Sequence, residues 1–212
     1  MREIKLQLAV DQADCPEIMA LAEQVADVID ILEIGTPVII REGLQAVRMV
    51  KKAFPDLTVL ADTKIVDGGR LECRYAAEAG ADIITVLAVS DDSTIRSVVE
   101  TAHAMGRRVM SDLLNVKNLS ERAVQLKEMG SDYVVVHTGV DAQTLGRTPY
   151  LDLQELTGVL PLRMCAVAGG INPDNAALYT KLEPEIIISG SALTSAPDIR
   201  AAVLEMKRKM QE

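Results

Sequence analysis

The stretch IKLQLAVDQAD, residues 4–14, decides the architecture. It reads as a buried strand over 4–10 that runs straight into Asp11–Gln12–Ala13–Asp14. A doubly wound, nucleotide-binding sheet would place a glycine-rich phosphate loop at that junction. Here there is none. The chain then repeats one pattern: an apolar, β-branched run, a polar or glycine turn, and an amphipathic stretch with helical spacing. Strands are predicted at 4–10, 30–34, 57–62, 82–87, 107–112, 132–137, 162–167 and 185–189. Helices are predicted at 16–28, 42–54, 69–79, 91–105, 118–129, 150–158, 173–181 and 196–210. EAGAD (78–82) and EMGSD (128–132) use the same glycine punctuation to end a helix before the next strand. Eight strands alternating with eight helices across 212 residues predict a single (β/α)8 TIM barrel spanning 1–212, with no linker or second domain.

Composition limits the functions available. Hydrophobic residues make up 49% of the chain but aromatic residues only 2%, so Val, Ile, Leu, Ala and Met must fill the core. A net charge of −9 argues against non-specific binding to nucleic acid or anionic membranes, though a local site can still hold an anion. Cys15, Cys73 and Cys165 are odd in number and widely spaced, as expected of free thiols in a reducing compartment. The N-terminal run carries charges and does not resemble a signal peptide, and no apolar run approaches a membrane span. The expectation is a soluble, cytoplasmic protein.

In a TIM barrel the chemistry lies at the C-terminal ends of the strands. The predicted ends carry Asp11, Glu33, Asp62 with Lys64, Asp112 and His137, whereas Lys5, Asp82 and Asp132 at the opposite ends read as ordinary solvent-facing groups. Asp62 and Lys64, two residues apart, would share one side of an extended strand. A structural ion pair is the simpler reading of such a pair in isolation, but the convergence of the other polar ends favours a catalytic one. Glu33 follows an apolar run and precedes Gly35–Thr36–Pro37; with the next helix starting near 42, a helix-capping role is weakened. Glu33 and Asp62 offer hard oxygen ligands suited to Mg²⁺. His137 is placed at the mouth for acid–base work or a polar contact, while His103 falls on a helix as a surface or packing residue. VAGGI (167–171) and ISGSA (188–192) put Gly169, Gly170, Gly190 and Ser191 in loops after strands seven and eight, where backbone amides can cradle a phosphate. Asp11 and Asp112 are candidate substrate contacts, with helix capping or loop initiation as the alternatives.

ADTKIVDGG, DILEIGTP, VVVHTGVDAQ and VAGGI together resemble the orotidine 5′-phosphate decarboxylase superfamily. Its Asp-x-Lys-x-x-Asp motif falls on Asp62, Lys64 and Asp67, and the similarity runs from about residue 4 to the C-terminus. Within the superfamily the chain is most similar to the 3-hexulose-6-phosphate synthase branch. The resemblance implies a homodimer with shared active sites, Asp67 being supplied across the interface. It implies a Mg²⁺-dependent aldol addition of formaldehyde to D-ribulose 5-phosphate. The metal on Glu33 and Asp62 would stabilise a 1,2-enediolate, Lys64 would sit near the developing oxyanion, and His137 would shuttle protons. The related 3-keto-L-gulonate-6-phosphate decarboxylases have Glu, Arg and Thr where this chain has Asp112, Val140 and Ala168, which favours the synthase branch. A ribulose-phosphate epimerase-like isomerase would be expected to use two metal-binding histidines. A non-catalytic sugar-phosphate-binding barrel would have little use for Asp62, Lys64 and Glu33 together.

Overall fold

A computed structural model describes residues 3–212. Eight parallel strands close into a barrel in sequence order. They are Lys5–Val10 (β1), Ile31–Ile34 (β2), Thr58–Ile65 (β3), Ile83–Leu87 (β4), Arg108–Asp112 (β5), Tyr133–His137 (β6), Cys165–Ala168 (β7) and Ile186–Ser189 (β8). The outer ring is built from Cys15–Val25 (α1), Thr36–Glu42 (α2), Gln45–Ala53 (α3), Gly69–Glu78 (α4), Asp92–Ala104 (α5), Leu119–Glu128 (α6), Val140–Gln143 (α7), Tyr150–Val159 (α8), Ala176–Thr180 (α9), Ser191–Thr194 (α10) and Ile199–Met210 (α11). This is the expected TIM barrel. No helix among the described residues is long and apolar enough to cross a membrane.

Strand alternation divides the core in two. Leu6, Leu8, Leu32, Val59, Ile84, Val109, Val134 and Ile187 point outward and pack under the helices. Ala9, Ile31, Leu60, Ile83, Met110, Val135, Ala166 and Ile186 point inward and fill the barrel. The first helix starts close to its predicted position. Asp14 accepts the Glu17 backbone N–H while Glu17 reaches back to the Asp14 N–H, a capping box that starts α1.

Several boundaries differ from the sequence reading. A helix begins at Thr36, not near 42, because Pro37 suits the first turn, where no backbone N–H is needed. The strand expected over 162–167 opens as a 3₁₀ turn, Leu162–Met164, before β7 proper. β3 continues to Ile65, past the expected end at 62, and is irregular there.

The N-terminal face of the barrel is a stability device, a correction to its reading as ordinary solvent-facing charge. Asp30, Asp82 and Asp132 precede β2, β4 and β6. Each accepts the backbone N–H of the second residue of the preceding strand, Leu6, Val59 and Val109, at 2.8–2.9 Å. Lys207 pairs with Asp30 and Lys51 with Arg107 pairs with Asp82, His103 Nε2 lies 2.9 Å from Asp132, and Lys5 bonds Glu185 at 2.6 Å. His103 is thus a surface residue with a structural partner. A cavity of about 400 Å³ opens at this face between Lys5, Asp30, Thr58, Arg108 and Tyr133. There Asp30 holds the ladder end at Leu6, Lys5 is paired with Glu185, and the Arg108 guanidinium bonds the Tyr133 hydroxyl.

Candidate active site

At the opposite face, adjacent strands bring the predicted polar residues together. Asp62 is the hub. Its Oδ2 accepts from the Thr36 hydroxyl at 2.8 Å and from the Lys64 ammonium, and its Oδ1 accepts from the Thr85 hydroxyl at 2.8 Å. Thr36 also donates to the Asp62 carbonyl at 2.7 Å. The Thr36–Pro37 helix start therefore serves the site directly.

Lys64 reaches Asp62 by a route that alternation did not foresee. It is not regular extended strand: its φ is +45°, and the β3–β4 register shifts between Ala61 and Ile65. The bulge re-aims the side chain, so that Nζ contacts Asp62 and lies 4.0 Å from Asp112 Oδ2. Burial pulls the Lys64 pKa down, but the charge of Asp62 and its hydrogen bond, with Asp112 and Glu33, more than reverse this and leave it raised.

Asp112 ends β5 almost fully buried. Its Oδ1 accepts the Leu114 N–H at 2.8 Å, and its Oδ2 lies 2.9 Å from His137 Nδ1. Burial lowers the His137 pKa, but the hydrogen bond and charge of Asp112 outweigh it, so the pKa is raised. Asp11 lies exposed at the rim between the loops after β2 and β8. Loss of surrounding water, then repulsion from Asp62, raises its pKa against the opposing charges of Lys64 and His137. Gly35 makes this approach possible, since a Cβ there would fall 2.0 Å from Asp11 Oδ1.

Glu33 lies below the hub, 8% exposed. Burial, with Asp62 repulsion next, pushes its pKa up to about 8, although a hydrogen bond from Gln7 opposes the shift. Asp67 does not join the cluster. It lies exposed on the loop before α4, and its Oδ1 accepts the Gly68 N–H.

The glycine loops flank the mouth on the other side. Gly169 has φ +117°, and a Cβ there would lie 2.5 Å from the Thr138 carbonyl oxygen. Gly170 has φ +69°; the Asn175 amide donates to its carbonyl oxygen at 3.0 Å. Gly190 and Ser191 open the single-turn α10, next to β1. Gly190 has no such steric need, for its nearest Cβ contact would be 3.5 Å.

The family described as Orotidine 5′-phosphate decarboxylase / HUMPS matches residues 4–206. The chain belongs to this family. A 3-hexulose-6-phosphate synthase of Bacillus subtilis (strain 168) is 42% identical over 205 residues, covering 97% of this chain and 98% of the relative. The solved 3-hexulose-6-phosphate synthase of Salmonella typhimurium superimposes with a TM-score of 0.95 at 41% identity, over 98% of this chain and 99% of that one. A 3-keto-L-gulonate-6-phosphate decarboxylase from Vibrio cholerae gives a TM-score of 0.86 at 25% identity, over 99% and 98% of the two chains.

Glu33 and Asp62 are the carboxylates that could hold a hard divalent cation at this mouth. Among the described residues no three His, Cys, Asp or Glu side chains converge as a metal cluster. What the site offers is two mutually repelling carboxylates, Glu33 and Asp62, both buried. A cation would relieve that repulsion. Mg²⁺ is commonly held through one or two carboxylates, with water and substrate oxygens completing its octahedron.

Sequence reasoning missed Gln7, Thr36 and Thr85. Gln7 donates from Nε2 to Glu33 Oε2 at 2.5 Å, and its own Oε1 is buried without a partner. The available signal was a polar residue on the inward face of an apolar strand, as in IKLQLAV and DIITVL.

Proposed function

We propose that this protein is a Mg²⁺-dependent 3-hexulose-6-phosphate synthase, an aldolase that adds formaldehyde to D-ribulose 5-phosphate. One observation carries the reading: the Lys64–Asp62 and Asp112–His137 pairs meet at the mouth, with Lys64 Nζ 4.0 Å from Asp112. The names of relatives above 40% identity support the same reaction.

The roles follow from the contacts. With Nδ1 directed at Asp112, the neutral His137 imidazole offers Nε2 to accept a proton from C1 of the sugar. The resulting carbon nucleophile forms the new C–C bond with formaldehyde, whose oxygen then takes a proton, which His137 can return. Lys64 sets a positive charge beside the oxygens that become negative. Glu33 and Asp62 would hold Mg²⁺, which supplies Lewis-acid stabilisation of that negative charge when bound. Asp11 and Asp112 would orient sugar hydroxyls. Gly169, Gly170, Gly190 and Ser191 would take the phosphate on backbone and hydroxyl donors. The working form would be a cytoplasmic homodimer in which Asp67 enters the partner's site. Asp67 is exposed, and the exposed apolar side chains of Val66, Leu71 and Tyr75 lie near it in sequence.

A paired assay tests the reading. With Mg²⁺, ribulose 5-phosphate plus formaldehyde should yield a hexulose 6-phosphate, and Lys64→Ala should abolish turnover. Preferential release of CO₂ from 3-keto-L-gulonate 6-phosphate would move the assignment to the decarboxylase branch. Asp112 and Ala168 stand where that branch has Glu and Thr, but the shared fold keeps it as the second reading.

A further inference from the structure

β3 and β4 are in register at Ala61 with Ile84 and again at Ile65 with Val86. Three residues of β3, Asp62, Thr63 and Lys64, therefore lie opposite one residue of β4, Thr85. The backbone ladder cannot bridge such a mismatch, and Thr85 bridges it with its side chain. Its Oγ1 accepts the Lys64 backbone N–H at 2.9 Å and donates to Asp62 Oδ1 at 2.8 Å. Its carbonyl oxygen accepts the Thr63 hydroxyl at 3.0 Å. A hydroxyl can donate and accept at once, which no apolar side chain of the same shape can do. The backbone it holds is unusual, since Lys64 is not glycine and yet has φ +45°. Such conformations persist only where their surroundings over-determine them.

Thr85 is 3% exposed, and its hydroxyl is occupied by Lys64 and Asp62. We propose that Thr85 is a positioning residue for the reaction. One hydroxyl fixes both the left-handed backbone that aims Lys64 and the carboxylate orientation of Asp62. This inference rests on the roles proposed above for those two residues. The β-branch of Thr further restricts χ1, keeping the hydroxyl between its two partners.

The test compares Thr85→Val, Thr85→Ser and Thr85→Ala with Lys64→Ala, each checked for folding by thermal unfolding. Thr85→Val should lower kcat by about 10- to 100-fold, as small misplacements of catalytic groups do. The KM for ribulose 5-phosphate should stay within about threefold, since the phosphate end is held by other strands, and Thr85→Ser should recover most of the lost turnover. Thr85→Ala, which leaves room for a water, replaces the valine variant if that one fails to fold. A kcat within about threefold of the parent for the Val or Ala variant, or a Ser variant no better than Val, would overturn the inference. A crystal structure of the variant supplies a readout independent of turnover. Lys64 should leave the left-handed region and its ammonium should leave Asp62; unchanged Lys64 geometry would also overturn it. If Lys64→Ala keeps its turnover, the functional reading fails, and the crystal structure still decides the geometry.

Discussion

The imidazole Nδ1 of His137 lies 2.9 Å from Asp112 Oδ2, although the strand ladder sets Asp112 opposite Val135. Burial alone would lower the histidine pKa, and the Asp112 carboxylate reverses that. Asp112→Asn should therefore lower the His137 titration midpoint, as followed by NMR of its ring protons. The sign for stability follows from the raised pKa. The contribution of the pair is fully present below the unfolded histidine pKa of about 6.5 and is lost as pH rises through the higher folded value. The asparagine variant should lose stability mainly on the acid side.

Glu33 gives the same pH direction from a different cause, the burial of a carboxylate beside Asp62. With its pKa pushed up to about 8, the metal-free folded protein keeps a proton there that the unfolded chain has already released. Stability in EDTA should be greatest below about pH 4.5, in this respect, and fall as pH rises towards 8. Urea denaturation over that range measures the slope. Glu33→Gln should flatten it, and Mg²⁺ should offset the loss at the alkaline end.

Two of the glycines proposed to hold phosphate, Gly169 and Gly190, should respond differently to the same change. Gly169→Ala forces a side chain into φ +117° and against the Thr138 carbonyl, and should cost about 1–3 kcal/mol in chemical denaturation. Gly190→Ala meets nothing closer than 3.5 Å and should cost less than Gly169→Ala. A rise in KM for the sugar phosphate in a folded Gly190→Ala variant would support the proposed phosphate site.

Asp67 is tested by mixing. If it serves the partner's site, Lys64→Ala and Asp67→Ala should each be inactive alone. Randomly reassorted dimers of the two should recover about a quarter of the parental activity, from one intact site in half of the dimers. Recovery of none would place Asp67 in its own subunit's site, and an Asp67→Ala variant active on its own would place it in no site.

Much of this was legible from the sequence. The apolar β-branched runs, the glycines that close the helices, and polar residues gathered at the C-terminal ends of five strands point to a barrel and a candidate working face. Asp11, Glu33, Asp62, Asp112 and His137 could be placed at that face because a strand carries its end residues to a predictable height. Asp67 could be moved off the strand for the same reason.

What the sequence could not determine was how these groups are held. Strand alternation predicts that Asp62 and Lys64 share a side, but the chain achieves their contact through a bulge and a left-handed residue. No single segment encodes that bulge, because it exists only where β3 meets Thr85 of a separate strand. Gln7 beneath Glu33, Thr36 on Asp62 and the carboxylates that close the ladder at the far end are likewise pairings between segments. Local pattern fixes which face a side chain takes. Barrel closure alone decides which neighbour waits there, and so which charges are paired, buried or left ready to react.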